Sequence, residues 1–144
     1  MSDRSEVEAT LSVRDLKTHF FTKAGVVKAV DGISFDVRPG EVLGLVGESG
    51  SGKTVTGFSI LGLVDEPGRV VGGEIRYRGR DIANAGEEVL QELRGNNIAM
   101  IFQDPMMTLN PVLRIDTQMI EAVRAHRDIG QGEARDMAAE ALER

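Results

Sequence analysis

The sequence has 144 residues, 41% hydrophobic and 28% charged, which suits one soluble globular domain with a buried core. A net charge of -6 offers no overall field for nucleic acid or an anionic membrane, so no nucleic-acid partner is expected. Cysteine is absent, which excludes disulfides, thiol catalysis and zinc-thiolate sites.

Residues 1 to 9 are polar and acidic, lack the apolar stretch of a signal peptide, and read as a disordered lead-in. Leu11 to Leu16 alternates apolar and polar residues, as a half-buried strand does. A turn is expected at Ala24-Gly25. Val26–Val30 and Ile33–Val37 follow as one or two strands, broken near Asp31-Gly32. Arg38-Pro39-Gly40-Glu41 is a turn. Val42–Val46 is continuously apolar and predicts a strand buried on both faces. A helix begins after the glycines that follow and ends by Pro67-Gly68.

Val70–Tyr77 predicts a strand, Glu87–Arg94 a short helix, and Ile98–Phe102 a second buried strand. None of these apolar runs is long enough to span a bilayer. Pro105–Pro111 is a loop. Helices are expected over Ile115–His126 and Glu133–Arg144, the latter with Ala134, Met137, Ala138, Ala141 and Leu142 on one stripe. His19 and His126 stand alone without ligand spacing, and Arg76, Arg78 and Arg80 alternate along a solvated face.

Gly47-Glu48-Ser49-Gly50-Ser51-Gly52-Lys53-Thr54 matches G-x-x-x-x-G-K-[ST] at every fixed position, between a predicted strand and a predicted helix. Polyphosphate is densely anionic, so the loop must bring many backbone N–H groups close to it. Glycines permit both the approach and the left-handed turns. The following helix aims its positive end at the same anion. Lys53 is placed to reach the β- and γ-phosphates, and the Thr54 hydroxyl to ligate Mg²⁺. Because no lysine follows Lys53, the Asn-Lys-x-Asp element that reads guanine cannot occur in this sequence.

Two separated stretches narrow the class. "AVDGISFDVRPGEVLGLVGESGSGKT" (29–54) and "LRGNNIAMIFQDPMMTLNP" (93–111) together resemble the ATP-binding subunits of ABC transporters. "VVGGEIRYRGRDI" and "IAMIFQDPMMTLNPV" are close to the wording of the dipeptide/oligopeptide permease branch. The resemblance covers about residues 11 to 144. It implies an α/β P-loop NTPase core with an N-terminal antiparallel β subdomain and the start of a helical subdomain. The β subdomain and P-loop would occupy about 10–103, and the Q-loop and helical region about 103–144.

The resemblance makes Gln103 the Q-loop glutamine, which meets Mg²⁺ and the attacking water and couples the nucleotide site to the membrane partner. It also implies an aromatic residue stacked on adenine, for which Phe20 is chosen over Phe21. Implied cofactors are ATP and Mg²⁺. Implied partners are a second ATPase subunit, two membrane-spanning permease subunits and a separate solute-binding protein. The subunit would be cytoplasmic, held to the inner face of the membrane through the permease, and Met106 and Met107 could join that contact.

The LSGGQ signature, the Asp-Glu strand that supplies the general base, and the later histidine are not in the sequence. Arg144 falls inside a helical pattern. The expectation is therefore roughly the first half of a transport ATPase subunit, which binds ATP without hydrolysing it. A soluble ABC ATPase of DNA repair or translation, and an inactive nucleotide-binding fragment, are the alternatives.

Overall fold

A computed structural model describes residues 8–103 and 108–143. It divides into two compact units, one up to Arg94 and one from Gly95.

The first unit is a four-stranded antiparallel sheet with two helices. Its strands are β1 (Leu11–Thr22), β2 (Gly25–Val37), β3 (Gly68–Tyr77) and the two-residue β4 (Arg80–Asp81). They lie in the order β2-β1-β3-β4. Helix α1 (Lys53–Leu61) lies between β2 and β3 in sequence, and α2 (Glu87–Leu93) follows β4. β1 runs on to Thr22, beyond its expected end at Leu16, whereas β2 ends at Val37 as expected. The break expected at Asp31-Gly32 is an irregularity inside a single strand, where Leu16 pairs with Ile33 and Lys17 with Asp31.

That irregularity has a cross-strand cause. Strict alternation along β1 would send residues 13, 15 and 17 to the same face. The buried residues are instead Val13, Leu16 and Thr18. A bulge at Arg14-Asp15 re-aims the strand, with Asp15 at φ 44°. It is met on β3 by Gly73 at φ 91°, where a Cβ would stand 2.5 Å from the Asp15 carbonyl oxygen. On β2 the Asp15 amide donates to Ser34 Oγ at 2.9 Å. The kink thereby returns Leu16 to the core, beside Val13, Val30 and Ile75.

The second unit pairs α3 (Ile115–Arg124) with α4 (Gln131–Glu143). Ile120, Ala134 and Ala138 are buried there, and the small alanine side chains allow close approach. The expected stripe is shorter than the sequence suggests, since Ala141 and Leu142 are exposed. A single neighbouring helix covers a narrower strip than a full core does.

Two expectations fail outright. Neither Val42–Val46 nor Ile98–Phe102 forms a strand. Val42 is 97% exposed, Val46 95% and Ile101 97%. Apolar content makes a buried strand only when neighbouring strands supply its ladder. Among the described residues, no strand pairs with either run.

Candidate phosphate-binding loop

Gly47–Thr54 forms the turn into α1, and each of its glycines has a distinct physical reason. At Gly47 a Cβ would collide with Ser51 Oγ, so the loop closes on itself only without a side chain there. Gly50 sits at φ 81° in open space, so its conformation is what favours glycine. Gly52 combines both demands: its φ is 89°, and a Cβ would collide with the Ala29 carbonyl oxygen of β2. The Ser51 amide donates to the Glu48 carbonyl at 3.2 Å and tightens the turn.

Lys53 is folded into this loop. Its Nζ donates to the carbonyls of Gly47 and Glu48, both at 2.7 Å, and to Ser51 Oγ at 3.3 Å. All three ammonium protons are thus directed at loop oxygens, and the charge stands at the mouth of α1. Thr54, next along the helix, is exposed.

The helix end itself is open to an anion. Gly52 caps α1 without a side-chain hydrogen bond, and the first turn contains no acidic residue. The amides there are not engaged by a side-chain carboxylate, as they are in many helices. Residues 47–54 therefore bring together a turn that needs glycine at 47, 50 and 52, an ammonium group, a hydroxyl and a positive helix end.

Phe20, on β1, pairs across to Val27 and to Gly68. Its ring fills the space where a Gly68 Cβ would stand, at 2.5 and 2.8 Å from two ring carbons. Phe20 is half-buried, whereas Phe21 is 40% exposed and has the Arg69 guanidinium 4.3 Å from its ring centre. Gln103 is exposed and belongs to the second unit. Asp104, Met106 and Met107 lie outside the described residues. His19 lies with its Nε2 3.7 Å from Asp31 Oδ1, and His126 stands over Gly95. Among the described residues no group of three His, Asp or Glu could hold a metal. No described helix is long and apolar enough to cross a membrane.

One contributor was not foreseen from sequence. Arg94 donates to the carbonyls of Leu61 and Gly62, at the far end of α1. Only its place at the end of a short helix was legible.

The family model described as ABC transporter matches residues 30–144. A probable peptide ABC transporter ATP-binding protein of Sinorhizobium fredii is 45% identical over 143 residues, covering 99% of this chain and 43% of that protein. The oligopeptide transport ATP-binding protein OppD of Escherichia coli is 44% identical over 131 residues, covering 91% and 39%. The dipeptide transport ATP-binding protein DppD of the same organism is 42% identical, covering 93% and 41%. The chain thus spans about two fifths of the length of these relatives.

Among solved structures, the dimeric ATP-binding cassette MJ0796 bound to ADP and Pi superposes with a TM-score of 0.79. The match covers 92% of this chain and 56% of that one, at 19% identity, and so speaks for the fold. The chain belongs to the ABC transporter family, where it resembles the peptide-type ATP-binding proteins.

Proposed function

We propose that the chain is the phosphate-gripping portion of the ATPase subunit of an ABC importer for peptides or similar small solutes. The observation that carries this is Lys53, drawn in among the carbonyls of a glycine cradle at the start of α1. Bound ATP would supply the phosphoanhydride whose cleavage drives transport. Lys53 would neutralise phosphate charge, the amides of Gly50 and Gly52–Thr54 would donate to phosphate oxygens, and the Thr54 hydroxyl would ligate Mg²⁺. Since the described residues offer no carboxylate cluster, Mg²⁺ would take its remaining oxygens mainly from phosphate and water.

Phe20 is proposed to stack on adenine, and Gln103 to present its amide to the metal and the attacking water. The partners proposed for the whole subunit are a second ATPase subunit, two membrane-spanning permease subunits and a solute-binding protein, on the cytoplasmic side of the membrane. The names of OppD and DppD, and the dimeric form of the MJ0796 structure, support that assignment.

For these 144 residues alone, the proposal is ATP binding without turnover. Hydrolysis needs charge neutralisation together with an oriented water, and the one Asp-Glu pair of the sequence, Asp65-Glu66, follows helix α1 rather than closing a strand. Phosphate release and nucleotide binding, measured on the purified chain, test both halves. Saturable MgATP binding with no phosphate release is expected. Steady release abolished by Lys53→Ala would contradict it.

A further inference from the structure

Helix α1 carries few of its own end supports. It has nine residues, no acidic residue in its first turn and no basic residue in its last. An isolated helix of that length is marginal in water. Its C-terminal turn closes on Gly62 at φ 62°, whose amide and that of Leu63 return to Phe58 and Ser59 carbonyls. The carbonyls of Leu61 and Gly62 are left over.

Arg94 supplies what is missing from more than thirty residues downstream. Its Nε donates to the Leu61 carbonyl at 2.8 Å and one Nη to the Gly62 carbonyl at 2.9 Å. The other Nη donates to Glu87 Oε1 at 2.6 Å, which fixes the guanidinium plane. Gly62 lets this happen, since a Cβ there would stand 2.7 Å from Leu90 Cδ1 and 3.2 Å from Arg94 Nη2. A cation at the negative end of a helix stabilises it. A planar fork presents its donors to two carbonyls in a fixed, pre-organised geometry, whereas an ammonium on a flexible stem must be ordered to do so.

We infer that Arg94 is a positioning residue for the phosphate loop. It clamps the C-terminal end of α1 so that the other end, with Lys53 and Thr54, is held in register for phosphate. The span is short, about 13 Å at 1.5 Å per residue, so loosening one end of so small a helix is felt at the other. The inference rests on the nucleotide reading of residues 47–54.

The test compares the full chain with Arg94→Ala, Arg94→Lys and, as a control cation on the sheet, Arg14→Ala. Two quantities are read at a temperature where circular dichroism shows each variant folded: MgATP affinity, and amide hydrogen exchange of Thr56 and Gly57, the first amides of α1 with a helical acceptor, without nucleotide. Arg94→Ala is expected to weaken affinity about five- to twentyfold and to speed exchange in that first turn. Arg94→Lys should fall between, and Arg14→Ala should leave both unchanged. A lowered melting temperature with unchanged affinity and unchanged first-turn exchange would make Arg94 a structural cap only and overturn the inference. A wild-type chain that binds no nucleotide would contradict the phosphate-loop reading. The exchange comparison then decides the clamp by itself: faster exchange supports it, and unchanged exchange overturns it.

Discussion

The hydroxyls of Thr18 and Ser59 meet at 2.7 Å where β1 lies against α1, and both side chains are buried. Ser59 Oγ also donates to the Val55 carbonyl at 2.7 Å, which uses its one proton. Thr18 is therefore the donor to Ser59. This bond ties the helix that carries Lys53 to β1, an inner strand of the sheet.

The direction of that bond predicts an asymmetry. Ser59→Ala strands a buried donor on Thr18 and should cost about 1–3 kcal/mol. Thr18→Val leaves Ser59 still bonded to Val55 and should cost less, about 0.5–1.5 kcal/mol. The double variant should fall well short of the sum, because both partners are then gone. Denaturant unfolding of the four proteins measures each value, and strict additivity would refute the pairing.

Gly52 and Gly50 should respond differently to alanine. Both have left-handed φ, which costs a non-glycine residue about 1–2 kcal/mol. Gly50 faces open space, so Gly50→Ala should stop there. At Gly52 the new Cβ also collides with the Ala29 carbonyl. Gly52→Ala should thus cost more than Gly50→Ala and disturb α1 at its start. Melting temperatures of the two variants check the order, and equal losses would count against the packing of the loop on β2.

Such contrasts mark what could be read from sequence. The turn into α1 was legible because the motif at Gly47–Thr54 fixes residue types at fixed spacing, and those residues form that turn. Helices α2, α3 and α4 were legible from apolar periodicity, to within two residues at most ends. The bulge at Arg14-Asp15 was not, because it depends on Gly73 and Ser34 in other strands. Val42–Val46 and Ile98–Phe102 misled for a related reason: strand-like composition becomes a strand only with partners. The Arg94 clamp joins groups more than thirty residues apart, and no local pattern signals it.

Acid should loosen the α3–α4 pair. Asp116 is bonded by Arg135 and by Arg114, both at 3.1 Å, and these hold its carboxyl below the usual 3.8. The charged form thus favours the folded chain. That stabilisation is complete above the unfolded carboxylate pKa and is lost as pH falls through the lower, folded value. Wild-type helix stability should accordingly decline below about pH 4, and Asp116→Asn should flatten this part of the profile. An unchanged slope in Asp116→Asn, followed by far-UV circular dichroism against pH, would show that other carboxylates govern it.

The most direct measurement is a titration of the purified chain and its Lys53→Ala variant with MgATP, followed by calorimetry or a fluorescent nucleotide analogue. The account predicts saturable binding by the wild-type chain and a loss of about tenfold or more in Lys53→Ala, because the variant removes the charged group at the centre of the cradle. Equal affinity in the two proteins, or no binding by the wild-type chain, would contradict it.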